Sequence, residues 1–209
     1  MAYKPFDLSG KTALVTGGNG GIGLGMADAM AQAGANVCIW GTNADKNTAA
    51  LEQLSVHGTE VAEMICDVSE EAQVERRFAE TIERFGNLHG VFANAGVSGG
   101  REQVPFTEMT TERWRQIVGV NLDGAFFTFR AAARHMVEHG EGGRIVGTAS
   151  LAAISGAARN EHYAATKGGM VSMIYAMSVE LARYGITVNA ILPGWIETAM
   201  TERAFNWEK

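Results

Sequence analysis

The chain has 209 residues, 46% of them hydrophobic, and its 17 basic and 23 acidic side chains give a net charge of −6 at neutral pH. That length suits one α/β core and asks for no second domain, and the lack of any Lys/Arg cluster argues against nucleic acid as a partner. Residues 1–7 lack the apolar core of a signal peptide, and no apolar run reaches the ~18 to 20 residues that span a bilayer, so a cytoplasmic protein without a membrane partner is expected.

In chain order, short apolar runs rich in β-branched residues predict strands over 12–16, 36–40, 60–66, 90–93, 144–149 and 187–192. Stretches at helical spacing alternate with them, over 21–32, 43–54, 70–85, 110–138 and 161–184, and this alternation is the mark of parallel βαβ units. The fold class expected is α/β, a Rossmann-like doubly wound parallel sheet with helices on both faces and its ligand at the carboxyl ends of the strands. Gly34 suits the left-handed position after the first helix, and Thr110 offers an N-cap hydroxyl to the fourth. Cys38 and Cys66 sit in predicted strands and read as inert core thiols. His135, His139 and His162 lack metal-ligand spacing and are expected at the surface or in loops, with no metal.

Directly after the first strand runs Thr16-Gly17-Gly18-Asn19-Gly20-Gly21-Ile22-Gly23, and a helix opens at its end. Glycines here let the backbone approach a pyrophosphate while the helix N-terminus faces it. The turn lacks the Gly-Lys-Ser/Thr ending of a mononucleotide loop, so a dinucleotide is the ligand expected. Further along stand Asn94-Ala95-Gly96, Asn121 within Val120-Asn121-Leu122, Ser150 placed 13 residues before Tyr163, Tyr163-Ala164-Ala165-Thr166-Lys167, and Pro193-Gly194 followed by Ile196 and Thr198. Tyr163 and Lys167, four apart on a helix, share a face, so a cation can stabilise a phenolate. Bringing a phenol from ~10 to near neutrality corresponds to roughly 4 kcal/mol of preferential phenolate stabilisation. Asn121, mid-helix, is a poor helix former whose side chain competes for backbone bonds, and that local conflict favours a functional role.

The Thr-Gly-x-x-x-Gly-x-Gly spacing and the motifs after it, in this order, resemble the short-chain dehydrogenase/reductase family from about Leu8 to Met200. The resemblance implies an NAD(P)(H)-dependent oxidoreductase that interconverts a secondary alcohol and a carbonyl, on a substrate such as a sugar, a polyol or a 3-oxoacyl thioester, and works as a homo-oligomer, dimer or tetramer. It implies a catalytic set of Asn121, Ser150, Tyr163 and Lys167, with Tyr163 as general acid/base, Ser150 donating to the substrate oxygen, Lys167 on the nicotinamide ribose, and Asn121 holding a water that relays protons to Lys167. It implies cofactor contacts from Gly17, Asn19, Gly21, Ile22 and Gly23, from Asp67 and Val68 at adenine, from Asn94, Ala95 and Gly96, and from Pro193, Gly194, Ile196 and Thr198 beside the nicotinamide.

Cofactor choice is read at the end of the second strand, where an acid binds a ribose 2′-hydroxyl and a base accepts a 2′-phosphate. Gly41 stands where NAD-preferring relatives carry Asp, and neither Thr42 nor Gly20 supplies the basic residue of many NADP-preferring ones. Thr42 and Asn43 as donors, with Lys46 near, give a weak lean to NADP(H). Relatives continue beyond Pro193-Gly194 with a substrate-covering stretch and a last strand. This sequence ends at Lys209, apparently without that lid and strand, and the expectation is that the remainder was not captured. Gly99–Gln103 and the stretch after Pro193 are expected to line the substrate pocket. A dinucleotide-binding regulator without turnover and a helical scaffold stand as alternatives, the presence of all four catalytic residues weighing against both.

Overall fold

All five residues of strand β1 (Thr12–Thr16) are buried, as a strand covered on both faces requires. Its side chains alternate between two apolar layers: Leu14 joins Trp40, Val91, Phe129, Ile145 and Met170, whereas Val15 joins Ala27, Ala31, Ile39 and Leu54. The computed structural model describes residues 6–99 and 104–202. Around β1 lie β2 (Asn36–Gly41), β3 (Val61–Ile65), β4 (Gly90–Ala93), β5 (Gly143–Thr148) and β6 (Ile186–Ile191), all parallel, in the order β3-β2-β1-β4-β5-β6. Helices α1 (Gly21–Gln32) and α2 (Ala44–Ser55) supply the smaller layer, while α3 (Glu71–Phe85), α5 (Gly124–His139) and α7 (Glu161–Leu181) supply the larger. This is the doubly wound sheet expected, and its order reverses between β1 and β4, where such sheets open a ligand crevice.

Strand positions agree with the sequence to within a residue at each end. Cys66 falls one residue beyond β3 and, like Cys38, is a buried free thiol. Gly34, at φ +99, follows α1, and Ala35 N–H returns to Met30 O, a left-handed helix stop. Thr110 accepts the Arg113 N–H as N-cap of α4 (Thr111–Val118).

The long helix expected over 110–138 is instead three pieces: α4, a π-helical turn over Gly119–Asp123, and α5. One residue too many in the turn widens the ladder there, and the side chain of Asn121 leaves the helix for the backbone of Val97. Gly124 then lets α5 press on Val68, whose Cγ2 would lie 2.7 Å from a Cβ at that position. A short helix not expected from sequence, α6 (Ala152–Ser155), bridges Ser150 and α7. A 3-10 turn, Ala182–Tyr184, ends the last helical stretch.

Candidate active site

The glycine turn leaves β1 and enters α1 with no side chain capping the helix, so first-turn N–H groups are left for a ligand. Its glycines are required by contact: a Cβ on Gly17, itself at φ +63, would lie 2.9 Å from Ala95 Cα, and one on Gly23 would run into the Gly17 carbonyl. Asn94 fastens this turn to β4. Its Nδ2 donates to Thr16 O (3.1 Å) and Gly17 O (3.3 Å), and the N–H groups of Asn94 and Ala95 both donate to Thr16 Oγ1 at 3.0 Å. The segment after β6 closes over the turn, with Thr198 Cγ2 3.2 Å from where a Gly21 Cβ would stand.

Between these elements lies a cleft of about 340 Å³. Gly17, Asn19, Gly21, Ile22, Asn94, Ala95, Gly96, Ser150, Tyr163, Lys167, Pro193, Gly194, Ile196 and Thr198, all singled out from sequence, line it. Lys46, Thr148 and Met200 line it as well. Among the described residues its charged lining is Lys46 and Lys167, with no carboxylate, which suits an anionic ligand. A glycine-walled crevice beside an uncapped helix N-terminus fits the pyrophosphate of a dinucleotide. A larger hollow of about 710 Å³ beside α4, walled by Val97, Gly99, Arg113 and Ile117, holds none of these motif residues.

Tyr163 and Lys167 sit on the first turns of α7, where Thr166 Oγ1 donates to Tyr163 O at 2.8 Å. Ser150 follows β5, accepts the Ala152 N–H on its hydroxyl at 3.1 Å, and lines the same cleft as Tyr163. Burial raises the Tyr163 phenol above its ordinary value, with the neighbouring Ser150 hydroxyl acting the other way. The depression expected of that phenol calls on Lys167 and the positively charged nicotinamide together. Lys167 Nζ donates to Thr148 O at 2.7 Å and stands 5.7 Å from the Tyr163 ring centre. Burial pushes the Lys167 ammonium itself down to about 8. Asn121 is fully buried and spends both ends of its amide on Val97, accepting N–H at 2.8 Å and donating to O at 2.9 Å. A Cβ on Gly96 would lie 3.2 Å from Asn121 Oδ1 and 3.5 Å from Lys167 Nζ, so both groups border the same backbone.

Other expected residues stand outside the cleft lining. Gly23 is buried beneath the turn and Thr42 is exposed. Asn43 Oδ1 accepts the Lys46 N–H as N-cap of α2, which commits the acceptor end of its side chain. Asp67 turns its carboxylate onto the N–H and hydroxyl of Ser69, and Val68 is buried against α5. Residues 100–103 of the expected pocket wall lie outside the described residues.

Two histidines depart from expectation. His162 is fully buried because the start of α7 turns it inward under Gly99, and among the described residues neither ring nitrogen has a well-formed hydrogen bond. His135 is half-buried and takes the Leu88 N–H at 3.3 Å. His139 is exposed at the end of α5. Sequence reasoning also missed Asn47, fully buried on α2; its only signal was an amide one helical turn inside an N-cap.

A family model described as short chain dehydrogenase matches residues 11–209. L-rhamnose-1-dehydrogenase of Scheffersomyces stipitis is 38% identical over 199 residues, 93% of this chain and 76% of that protein. L-rhamnose 1-dehydrogenase (NAD(P)(+)) of Azotobacter vinelandii is 36% identical over 192 residues, 90% of this chain and 74% of its own. Among solved structures, NAD+-bound xylitol dehydrogenase superposes with a TM-score of 0.90 at 31% identity, covering 96% of this chain and 76% of that one. The chain belongs to the short-chain dehydrogenase/reductase family. It is an NAD(P)-dependent oxidoreductase acting on alcohol and carbonyl groups.

Proposed function

We propose that Tyr163 is the general acid/base of this oxidoreductase, with Ser150, Lys167 and Asn121 as its partners. The observation that carries the reading is that Ser150, Tyr163 and Lys167 line the same cleft as the glycine turn. A bound nicotinamide dinucleotide supplies the hydride chemistry. Gly17, Gly21 and Ile22 would cradle its pyrophosphate, and Pro193, Gly194, Ile196 and Thr198 would border its nicotinamide. Asp67 and Val68 stand outside the cleft lining, so a contact with adenine draws no support from it. Ser150 donates to the substrate oxygen, a contact that strengthens as charge gathers there. Tyr163 gives or takes the proton on that oxygen. Lys167, held on Thr148 O, keeps two N–H donors for the ribose and the phenol, and its ordinary affinity for a proton is lowered into the working range. Asn121 pins the loop after β4 through Val97 and so holds Gly96 beside Lys167; a water relayed to Lys167 would enter at this border.

The substrate proposed is a small polyhydroxylated secondary alcohol or its carbonyl form. Support comes from the sugar and polyol named in two of the relatives and from the hydroxyls of Ser150 and Thr198 in the cleft. The lean to NADP(H) is supported by Lys46 in the lining and by the lack of an acid at Gly41. A homo-oligomer is supported by the exposed Tyr175 (70%) and Val179 (82%) on α7 and by Phe126 on α5. A cytoplasmic site of action is supported by two buried, free thiols, and the described residues are read as one dinucleotide-binding catalytic domain.

The test is Tyr163→Phe. Dinucleotide binding is expected to survive while turnover falls by orders of magnitude; equal turnover would sink the assignment.

A further inference from the structure

Gly41 ends β2 without a side chain, yet the space a side chain would take is full. A Cβ there would fall on the Asn19 amide nitrogen and lie 2.5 Å from Asn47 Oδ1. Asn19 comes from the glycine turn and Asn47 from α2, and Asn19 Nδ2 donates to Asn47 Oδ1 at 2.6 Å. The polarity of this pair is dictated from beneath. Three acceptors surround one end of the Asn47 amide, Glu63 Oε2 at 2.9 Å, Met64 O at 3.2 Å and Gly41 O at 3.4 Å, so that end is the NH₂ group and the other end is the oxygen. Asn19 must then turn its own NH₂ towards Asn47. Its oxygen and its second N–H hydrogen are left for the cleft it lines.

We infer that this protein reads the 2′ position of its coenzyme's adenosine ribose through the Asn19 amide, with Asn47 as the residue that positions it, and that position 41 does not act alone. This rests on the reading that the cleft takes a nicotinamide dinucleotide. A neutral amide offering one acceptor and one donor accepts from a 2′-hydroxyl or donates to a 2′-phosphate. No carboxylate lines the cleft there, the Glu63 charge being held behind Asn47, and nearby Lys46 tips the balance modestly towards the phosphate. An acid introduced at position 41 reaches the ribose only after Asn19 has been moved from its place.

The experiment is titration calorimetry with NAD+ and NADP+ on the 209-residue chain and on Asn19→Ala, Gly41→Asp, Asn19→Ala/Gly41→Asp and Asn47→Ser/Gly41→Asp, with thermal melts to confirm folding. The unsubstituted chain should bind both nucleotides within about tenfold, NADP+ the tighter. Gly41→Asp alone should weaken both about tenfold and move their ratio less than about threefold, whereas each double variant should swing the ratio towards NAD+ by about thirtyfold or more. A swing as large from Gly41→Asp alone would overturn the inference. A swing with Asn19→Ala but not with Asn47→Ser would overturn the positioning role of Asn47. If the unsubstituted chain bound neither nucleotide, the reading of the cleft itself would fall, a result distinct from both.

Discussion

Lys167 is a charged group 3% exposed whose ammonium has, among the described residues, one acceptor, the Thr148 carbonyl. Burial is the cause of its fall from 10.5 to about 8, and that difference corresponds to a cost on the order of 3 kcal/mol while the group stays charged. The sign follows from proton counts. Below about 8 the lysine is protonated in the folded and unfolded chain alike and the full cost is present. As pH rises from about 8 towards 10.5 the unfolded chain holds the extra proton, so stability increases with pH. Cys38 and Cys66, whose thiols burial pushes up to about 11 and about 12, act oppositely above 9 but equally in any Lys167 variant. Lys167→Met should therefore be the more stable protein at pH 7, and the unsubstituted chain should gain on it by about 1 to 3 kcal/mol between pH 7.5 and 9.5. Urea unfolding at several pH values checks this, and parallel profiles would refute it.

At the scale of elements, the break between α4 and α5 is the feature that most shapes the site. The π turn over Gly119–Asp123 turns the Asn121 amide onto both backbone groups of Val97, and Val97 follows directly on Gly96 of the cleft. Asn121→Ala leaves a buried N–H and C=O without partners, which costs roughly 1 to 3 kcal/mol. Unfolding in denaturant should show that loss, and turnover should fall more than dinucleotide binding does; an unchanged midpoint would count against the account. In the sequence, Asn121 was visible as a misfit in a helical pattern, but apolar periodicity ran through it and predicted one unbroken helix. The Tyr163, Lys167 and Ser150 spacing was readable because one helix turn and one short connection set it. The amide packed over Gly41 was not readable, since Asn19, Asn47 and Glu63 meet only when the turn, α2 and β3 are assembled. His162 was misjudged for a similar reason: a residue at a helix start looks exposed until the loop after β4 covers it.

For the whole molecule, helical faces that find no place in the sheet's two layers bear on assembly. Tyr175 and Val179 lie one turn apart on α7 and leave apolar surface open to water, the kind of patch that marks an interface. A second copy of the chain covering it by two-fold symmetry would meet the same patch. Val179→Lys should accordingly lower the mass seen by light scattering at micromolar concentration while leaving the fold intact; an unchanged mass would remove that face from the interface. The two layers on the sheet are themselves unequal. One is built from Phe129, Ile145, Met136, Met170 and Ile174, the other largely from Ala27, Ala31, Ala35 and Ala50 with Leu54, and small side chains withdraw little surface from water. The thinner layer carries the glycine turn. A dinucleotide bound in the cleft would add to the hold of this thinner layer on the sheet, so saturating coenzyme should slow proteolysis of this side of the molecule.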